Sequence, residues 1–388
     1  VAQTVPEESG LMLPEEFEQA AAELESPEIS AFRASGGRVL GFFCSYVPEE
    51  LLNVGGLASF RMRAPGAGPC ETADSLMGLF NCSYTRHCLE KGLAGEYRFL
   101  DGFVFVPGCD HMRRLYDNWA YFADPPFLAL LDVPHLRDED ALGWYRDEIE
   151  ALWNKISKAF SLSPDAGTVW EGIQKTNRCR KLLEQIDRLR WEGPARLSGR
   201  QMQVISLYAA STPKDLAIPA LERFLETLRS ASGALQGQHR ARILLVGSHL
   251  DDPAFIELLE DTGALVVRDA YCCGLRDQLG PVEGSESKDD PFLVLARRYL
   301  DRLSCPRMYA DYPRRLETLA QMAREARVDG IVLEQMKFCE TWGVDGNLLQ
   351  RDLKERGLPV LRIEREYLLS GLGQIRTRVQ AFLESLGK

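Results

Sequence analysis

The chain has 388 residues, of which 45% are hydrophobic and 27% charged, and its formal net charge is −11. That length supports two or three domains with buried cores. The acidic balance excludes a surface built for nucleic acid or an anionic membrane, which needs an excess of Lys and Arg. No apolar run is long enough to cross a bilayer. Val1–Gly10 lacks the basic and apolar parts of a signal peptide. Ten cysteines in a chain of this length do not read as the disulfide framework of a small secreted domain. The expectation is a cytoplasmic protein whose thiols carry chemistry.

Residues 1–36 are acidic and predict a leading surface helix, broken at Gly36-Gly37. RVLGFFC (Arg38–Cys44) is short and apolar, and reads as a buried parallel strand. Pro48 suits the first turn of a following helix, where its missing N–H costs nothing. DGFVFVPGC (Asp101–Cys109) is the next predicted strand and HMRRLYDNWAYF the helix after it. FLALLDVPH gives a third strand, ending near His135. From about 138 to 232 the patterns are helical, with Ser163-Pro164 as a helix start. GALQGQHR (Gly233–Arg240) reads as a joint. Strands then resume at ARILLVGS, GALVVRDAYC, DGIVLEQMKFC and LPVLRIE, with helices between them and QIRTRVQAFLESL at the end. Alternation of this kind predicts an α/β protein: two Rossmann- or flavodoxin-like domains with parallel sheets, joined by a helical segment. The expected divisions are 1–36, 37–137, 138–232 and 233–388. A faint repeat supports two similar halves, since Asp101-Gly102 and Asp329-Gly330 both enter an apolar strand that ends in a cysteine.

Cys44, Cys109, Cys272 and Cys339 stand where apolar strands should end, and Cys82 and Cys305 each precede an Asp-Gly strand. The carboxyl ends of parallel strands face the ligand crevice of an open α/β sheet. Two facing domains would therefore aim six thiols at one cleft, where as thiolates they would repel unless a metal neutralised them. Histidine is scarce, with five in all, and no Cys-x-x-Cys occurs. All-sulfur ligation at long spacing favours iron–sulfur over zinc. The competing reading is that these cysteines are small buried hydrophobes.

The segments GFFCSYVPEELLNVGG, FNCSYTR, DGFVFVPGCDHMRRLYDNW, VDGIVLEQMKFCETWG and GQIRTRVQAFLE occur in the order found in the 2-hydroxyacyl-CoA dehydratase / benzoyl-CoA reductase superfamily. The chain resembles that superfamily from about residue 38 to its C-terminus. The resemblance implies that Cys82, Cys109 and Cys339 hold a [4Fe–4S] cluster. With Cys44, Cys272 and Cys305 added, the set resembles the double-cubane cluster branch, in which a homodimer carries two cubanes sharing a sulfide ([8Fe–9S]). Cys272 and Cys273 are adjacent, and Gly274 favours Cys272. The implied activity is an ATP-dependent iron–sulfur oxidoreductase. It would take low-potential electrons from a separate ATP-hydrolysing iron–sulfur partner and reduce a small molecule. The alternatives are a [4Fe–4S] subunit of a dehydratase or benzoyl-CoA reductase, working through a ketyl radical on a CoA thioester, and a non-catalytic electron-storage protein. No Walker motif and no G-x-G-x-x-G occurs, in keeping with an ATPase on another chain.

Three further side chains are candidates for catalysis. Glu50 stands in a Pro-x-Glu that the family shares, as a proton relay or a helix-dipole partner. Arg86 is a donor to cluster sulfur or substrate, or else a salt-bridge residue. His111 is a proton carrier, or else a surface histidine at a helix start. Gln335 and Lys337 are placed to face the cleft, and Gly371–Gln374 to cradle an anion at a helix N-terminus. Cys88, Cys179 and Cys70 read as packing or incidental thiols.

Overall fold

The computed structural model describes residues 11–66, 68–231, 235 and 239–388. Val1–Gly10 and most of the expected joint at 233–240 lie outside the described residues. The described residues begin with two short helices, α1 (Glu15–Ala22) and α2 (Pro27–Ala34), where a single leading helix was expected. The first is not a surface appendage. Phe17 is fully buried, its ring 4.1 Å from that of Tyr208. The buried guanidinium of Arg63 binds the carbonyls of Ala20, Ala21 and Glu23 at the C-terminus of α1, where a cation meets the negative end of the helix dipole.

The first sheet follows, with β1 (Arg38–Phe42), β2 (Leu57–Arg61), β3 (Gly102–Phe105) and β4 (Leu128–Leu130), and with α3 (Glu71–Leu76), α4 (Ser83–Leu93) and α5 (Asp110–Phe122) between strands. All pairings are parallel, in the order β2-β1-β3-β4. β2 has no counterpart among the predicted strands. Its sequence LASFR carries Ser59 and Arg61, so it lacks an apolar run, yet every residue is buried. Asn53 makes this possible by bonding both the amide and the hydroxyl of Ser59. The third predicted strand shrinks to three residues, and the imidazole of His135 instead lies 3.0 Å from the Arg307 carbonyl.

Four helices follow in the span expected to be helical, here called the bridge: α6 (Glu139–Phe160), α7 (Ala166–Trp191), α8 (Gly199–Ser211) and α9 (Lys214–Ser230). The start of α7 is capped by Asp165, to which Ser163 also turns its hydroxyl. The second sheet comprises β5 (Ala241–His249), β6 (Ala264–Cys272), β7 (Gly330–Met336) and β8 (Val360–Arg365). Among and after these strands come α10 (Pro253–Glu260), α11 (Leu275–Gln278), α12 (Pro291–Asp301), α13 (Tyr312–Glu325), α14 (Glu340–Glu355) and α15 (Leu372–Ser385). Its order, β6-β5-β7-β8, repeats that of the first sheet strand for strand, again all parallel.

The repeated Asp-Gly has one structural role in both halves. The Asp101 carboxylate accepts the Val39 amide at 2.9 Å and its own amide donates to the Val39 carbonyl. Asp329 makes the same two bonds to Arg242 on β5. Each aspartate thus clamps the central strand of its sheet. A Cβ at Gly102 would meet Phe127 at 2.6 Å, and one at Gly330 would meet the Phe382 ring at 2.7 Å.

The lobes share cores. Tyr145, Ile149 and Trp153 of α6, Val169 and Ile173 of α7, and Phe292, Leu295 and Tyr299 of α12 pack with Leu40 and Val104 of the first sheet. The second half of the sequence therefore lends α12 to the first lobe. This arrangement brings the carboxyl ends of both sheets together.

Candidate metal centre

Cys82, Cys109 and Cys339 each immediately precede a helix, α4, α5 and α14 respectively. None of these three N-termini has a side-chain cap, so three sets of free amides and three positive dipole ends lie at the thiols. The three thiols are close enough to repel as anions. Burial first, and then the neighbouring Cys82 and Cys339 thiols, push Cys109 up. Burial and Cys82 push Cys339 up to about 12, and burial raises Cys82. A hydroxyl accompanies two of them at 3.6 Å, Thr85 beside Cys82 and Thr341 beside Cys339.

His111 is buried, not at the surface. Its Nδ1 accepts the Cys82 amide at 3.3 Å, which assigns the proton to Nε2, and Nε2 lies 3.9 Å from Glu340 next to Cys339. Burial lowers its pKa. One imidazole, two residues after Cys109, thus ties together all three cysteine segments.

The other three thiols continue from this group. Cys339 and Cys272 both interact electrostatically with Cys305. A Cβ at Gly108, beside Cys109, would lie 4.0 Å from Cys44 Sγ. Cys272 accepts a hydrogen bond from Arg276, and the Cys305 amide donates to the Tyr46 hydroxyl at 3.3 Å. Cys273 points elsewhere. It has a left-handed backbone, φ 68°, and its Sγ accepts from Arg61 at 3.3 Å and lies 3.6 Å from His249. Of the adjacent pair, Cys272 therefore shares the side of Cys305.

The donors brought together here are thiols, the ligand type that an iron–sulfur core takes. Among the described residues, no three His, Cys, Asp or Glu side chains close tightly enough to hold one metal ion. A polynuclear core spreads its ligands over several metal atoms and does not need such closure. Buried thiols with raised pKa values would have to ionise against an intrinsic penalty, which a cationic core and three helix N-termini both reduce.

The remaining candidates divide. Glu50 is not one turn into an α-helix. It lies in a 3₁₀ turn, Glu49–Leu52, is fully buried, and binds Arg180 at 2.5 Å and the Tyr299 hydroxyl at 2.9 Å. Arg86 pairs with Asp74 at 2.6 Å while lending its charge to Cys82. Gln335 accepts from Arg362, and Lys337 pairs with Glu366 at 3.2 Å. Gly371 is the exposed left-handed residue before α15. Cys88 and Cys179 are core thiols, and Cys70, buried ahead of α3, is raised to about 12 by burial and Asp74. Arg276 was not among the sequence-derived candidates. The signal for it was present, because Cys272 and Arg276 repeat the four-residue spacing of Cys82 and Arg86.

The sequence model of the family described as 2-hydroxyglutaryl-CoA dehydratase, D-component, matches residues 44–386. The chain belongs to that family. Three relatives run nearly end to end with it. A putative dehydratase subunit, YjiM, of Escherichia coli strain K12 is 25% identical, covering 90% of this chain and 91% of its own. The (R)-phenyllactyl-CoA dehydratase beta subunit of Clostridium sporogenes is 23% identical, covering 91% and 92%. One of the subunits of benzoyl-CoA reductase from Thauera aromatica is 21% identical, covering 90% and 91%. The 2-hydroxyglutaryl-CoA dehydratase D-component family thus spans both lobes of this fold. No helix among the described residues is long and apolar enough to cross a membrane.

Proposed function

We propose that this chain is the iron–sulfur subunit of a dehydratase or reductase acting on a CoA thioester, with Cys82, Cys109 and Cys339 holding a [4Fe–4S] cluster. The observation that carries the reading is the meeting of these three thiols, from both lobes, at three uncapped helix N-termini. Relatives named as a dehydratase beta subunit and as a reductase subunit support a partner subunit of a different kind. The resemblance adds a separate ATP-hydrolysing iron–sulfur protein as electron donor. A bound cluster of this type supplies single low-potential electrons and a Lewis-acidic iron. The chain's own residues bury the thiols, place amides and dipole ends beside them, and fix the Cys82 amide through His111. Arg86 offsets charge at Cys82. Glu50, held by Arg180 and Tyr299, serves as a structural anion and not as a proton relay.

A second reading is favoured by the electrostatic continuity from Cys339 through Cys305 to Cys272. In it, six thiols hold a double-cubane [8Fe–9S] core in a homodimer that reduces a small molecule. Anaerobic purification with iron and acid-labile sulfide analysis separates the two, near four irons per chain against near eight. Serine at Cys82, Cys109 or Cys339 should abolish iron binding in both cases. Serine at Cys44, Cys272 or Cys305 should lower the iron content only in the second. Zinc without iron would refute both.

A further inference from the structure

Between the carboxyl ends of the two sheets lies a small, partly open cavity of about 30 Å³. Its walls come from both lobes and the bridge, and its polar lining includes Arg61, Arg180, Lys214, Glu49, Asp277 and Gln278. Four atoms of these residues are buried without any hydrogen-bond partner: the donors Nη1 of Arg61 and Nε of Arg180, and the acceptors Oδ1 of Asp277 and Oε1 of Gln278. The side chains of Arg61 and Arg180 are 4% and 2% exposed. Among the described residues nine arginines have an unpaired buried nitrogen, and Arg61 and Arg180 are the two of them that line this cavity; a buried donor left unpaired costs free energy.

The charges around the cavity do not balance. Arg61, Arg276 and Arg302 all share one carboxylate, Asp277, at 3.8, 3.7 and 3.5 Å. Arg180 and Lys214 share Glu49, and Arg180 also holds Glu50. In these linked pairs five cations share three carboxylates, and the cavity wall itself carries three of the cations, Arg61, Arg180 and Lys214, against two carboxylates, Glu49 and Asp277. Two of these cations also bind sulfur, Arg276 that of Cys272 and Arg61 that of Cys273. Phe42, Leu183, Ala209 and Ala210 supply apolar walls that limit size. Space of this order takes about two waters, or a ligand of three or four heavy atoms.

We propose that this cavity is a binding site for a small oxyanion or carboxylate, held by the unpartnered guanidinium donors of Arg61 and Arg180. Such a ligand supplies the missing acceptors and the missing negative charge together, and guanidinium–oxyanion bonds are strong in a dry site. The site is distinct from the three-thiol group of Cys82, Cys109 and Cys339, whereas Arg276, which shares Asp277 with Arg61, also touches Cys272 of the six-thiol reading.

The test is calorimetric titration of the full-length, anaerobically purified protein in chloride-free buffer with formate, nitrate and benzoate. Saturable binding of formate and nitrate, with no binding of benzoate, is expected. Arg61→Gln should weaken that binding by about tenfold or more. Ala210→Leu keeps every ion pair, fills the space and should abolish it, with the urea midpoint confirming the fold. A crystal grown in bromide should show anomalous density in the cavity, a measurement that needs no variant. No saturable binding, binding unmoved by Ala210→Leu, equal binding of benzoate, or absence of bromide from the cavity would each overturn the proposal. Iron content measured on the same sample reports separately on the cluster.

Discussion

Arg180→Met tests whether the buried ion pair of Glu50 fixes the first lobe to the bridge. Arg180, on α7, is 2% exposed and Glu50 is 0% exposed. The pair joins the turn after β1 to the bridge, and Tyr299 of α12 donates to the same carboxylate. Removing the guanidinium leaves Glu50 with one hydroxyl, and Glu49 with Lys214 at 3.1 Å and the Ser59 hydroxyl at 3.4 Å. An uncompensated carboxylate at that depth costs about 3–5 kcal/mol. The double variant Glu50→Gln/Arg180→Met removes both charges and should regain most of that loss, because the neutral amide still accepts from Tyr299. Glu50→Gln alone should lose less, about 1–3 kcal/mol, since Arg180 keeps Glu49 at 3.5 Å. Urea unfolding with matched m-values measures each difference. An Arg180→Met variant within about 1 kcal/mol of the parent, or a double variant no more stable than that single one, would refute the reasoning.

Three other outcomes follow from local geometry. A Cβ at Gly172 would press into the Glu50 carbonyl and stand 2.7 Å from Val54, so Gly172→Ala should destabilise by about 1–3 kcal/mol despite the better helix propensity of alanine. His111→Leu should leave the Cys82 amide buried without its acceptor at a cost of about 1–3 kcal/mol, whereas His111→Asn, which keeps an acceptor, should cost less; urea midpoints compare them. Burial opposes ionisation of Asp311, but hydrogen bonds from Arg314, Ser304 and Arg137 outweigh it and lower its pKa from 3.8 to about 2. Its folded-state value lies below the unfolded one, so the stabilisation, about 2 kcal/mol, is complete above the unfolded pKa and is lost as pH falls through the folded one. Asp311→Asn should remove that part of the acid dependence in urea midpoints taken from pH 5 to pH 2.

The strands that were legible in the sequence are those whose burial shows as an unbroken apolar run. ARILLVGS and DGIVLEQM are central strands whose apolar runs read plainly, although Glu334 at the end of the second is buried only through Ser248 and Arg365. β2 was not legible because Ser59 and Arg61 are buried through partners elsewhere in the chain, Asn53 and Cys273. His111 reads as a surface residue at the start of an amphipathic helix until α4 and α14 are placed beside it. Glu50 carries the same ambiguity, since a glutamate in a first turn is normally solvated, and only Arg180, far along the chain, makes it an interior anion.

The pattern of apolar runs, the paired Asp-Gly entries and the spaced cysteines by themselves determined two parallel α/β halves and which thiols stand at strand and helix ends, because strand burial and helix starts are written in neighbouring residues. Tertiary structure alone decided that α12 crosses to the first lobe, that Cys272 and not Cys273 turns toward Cys305, and that five cations crowd around three carboxylates between the lobes. Those facts depend on which distant side chains meet. Electrostatic balance is set by distances in space that no local pattern encodes.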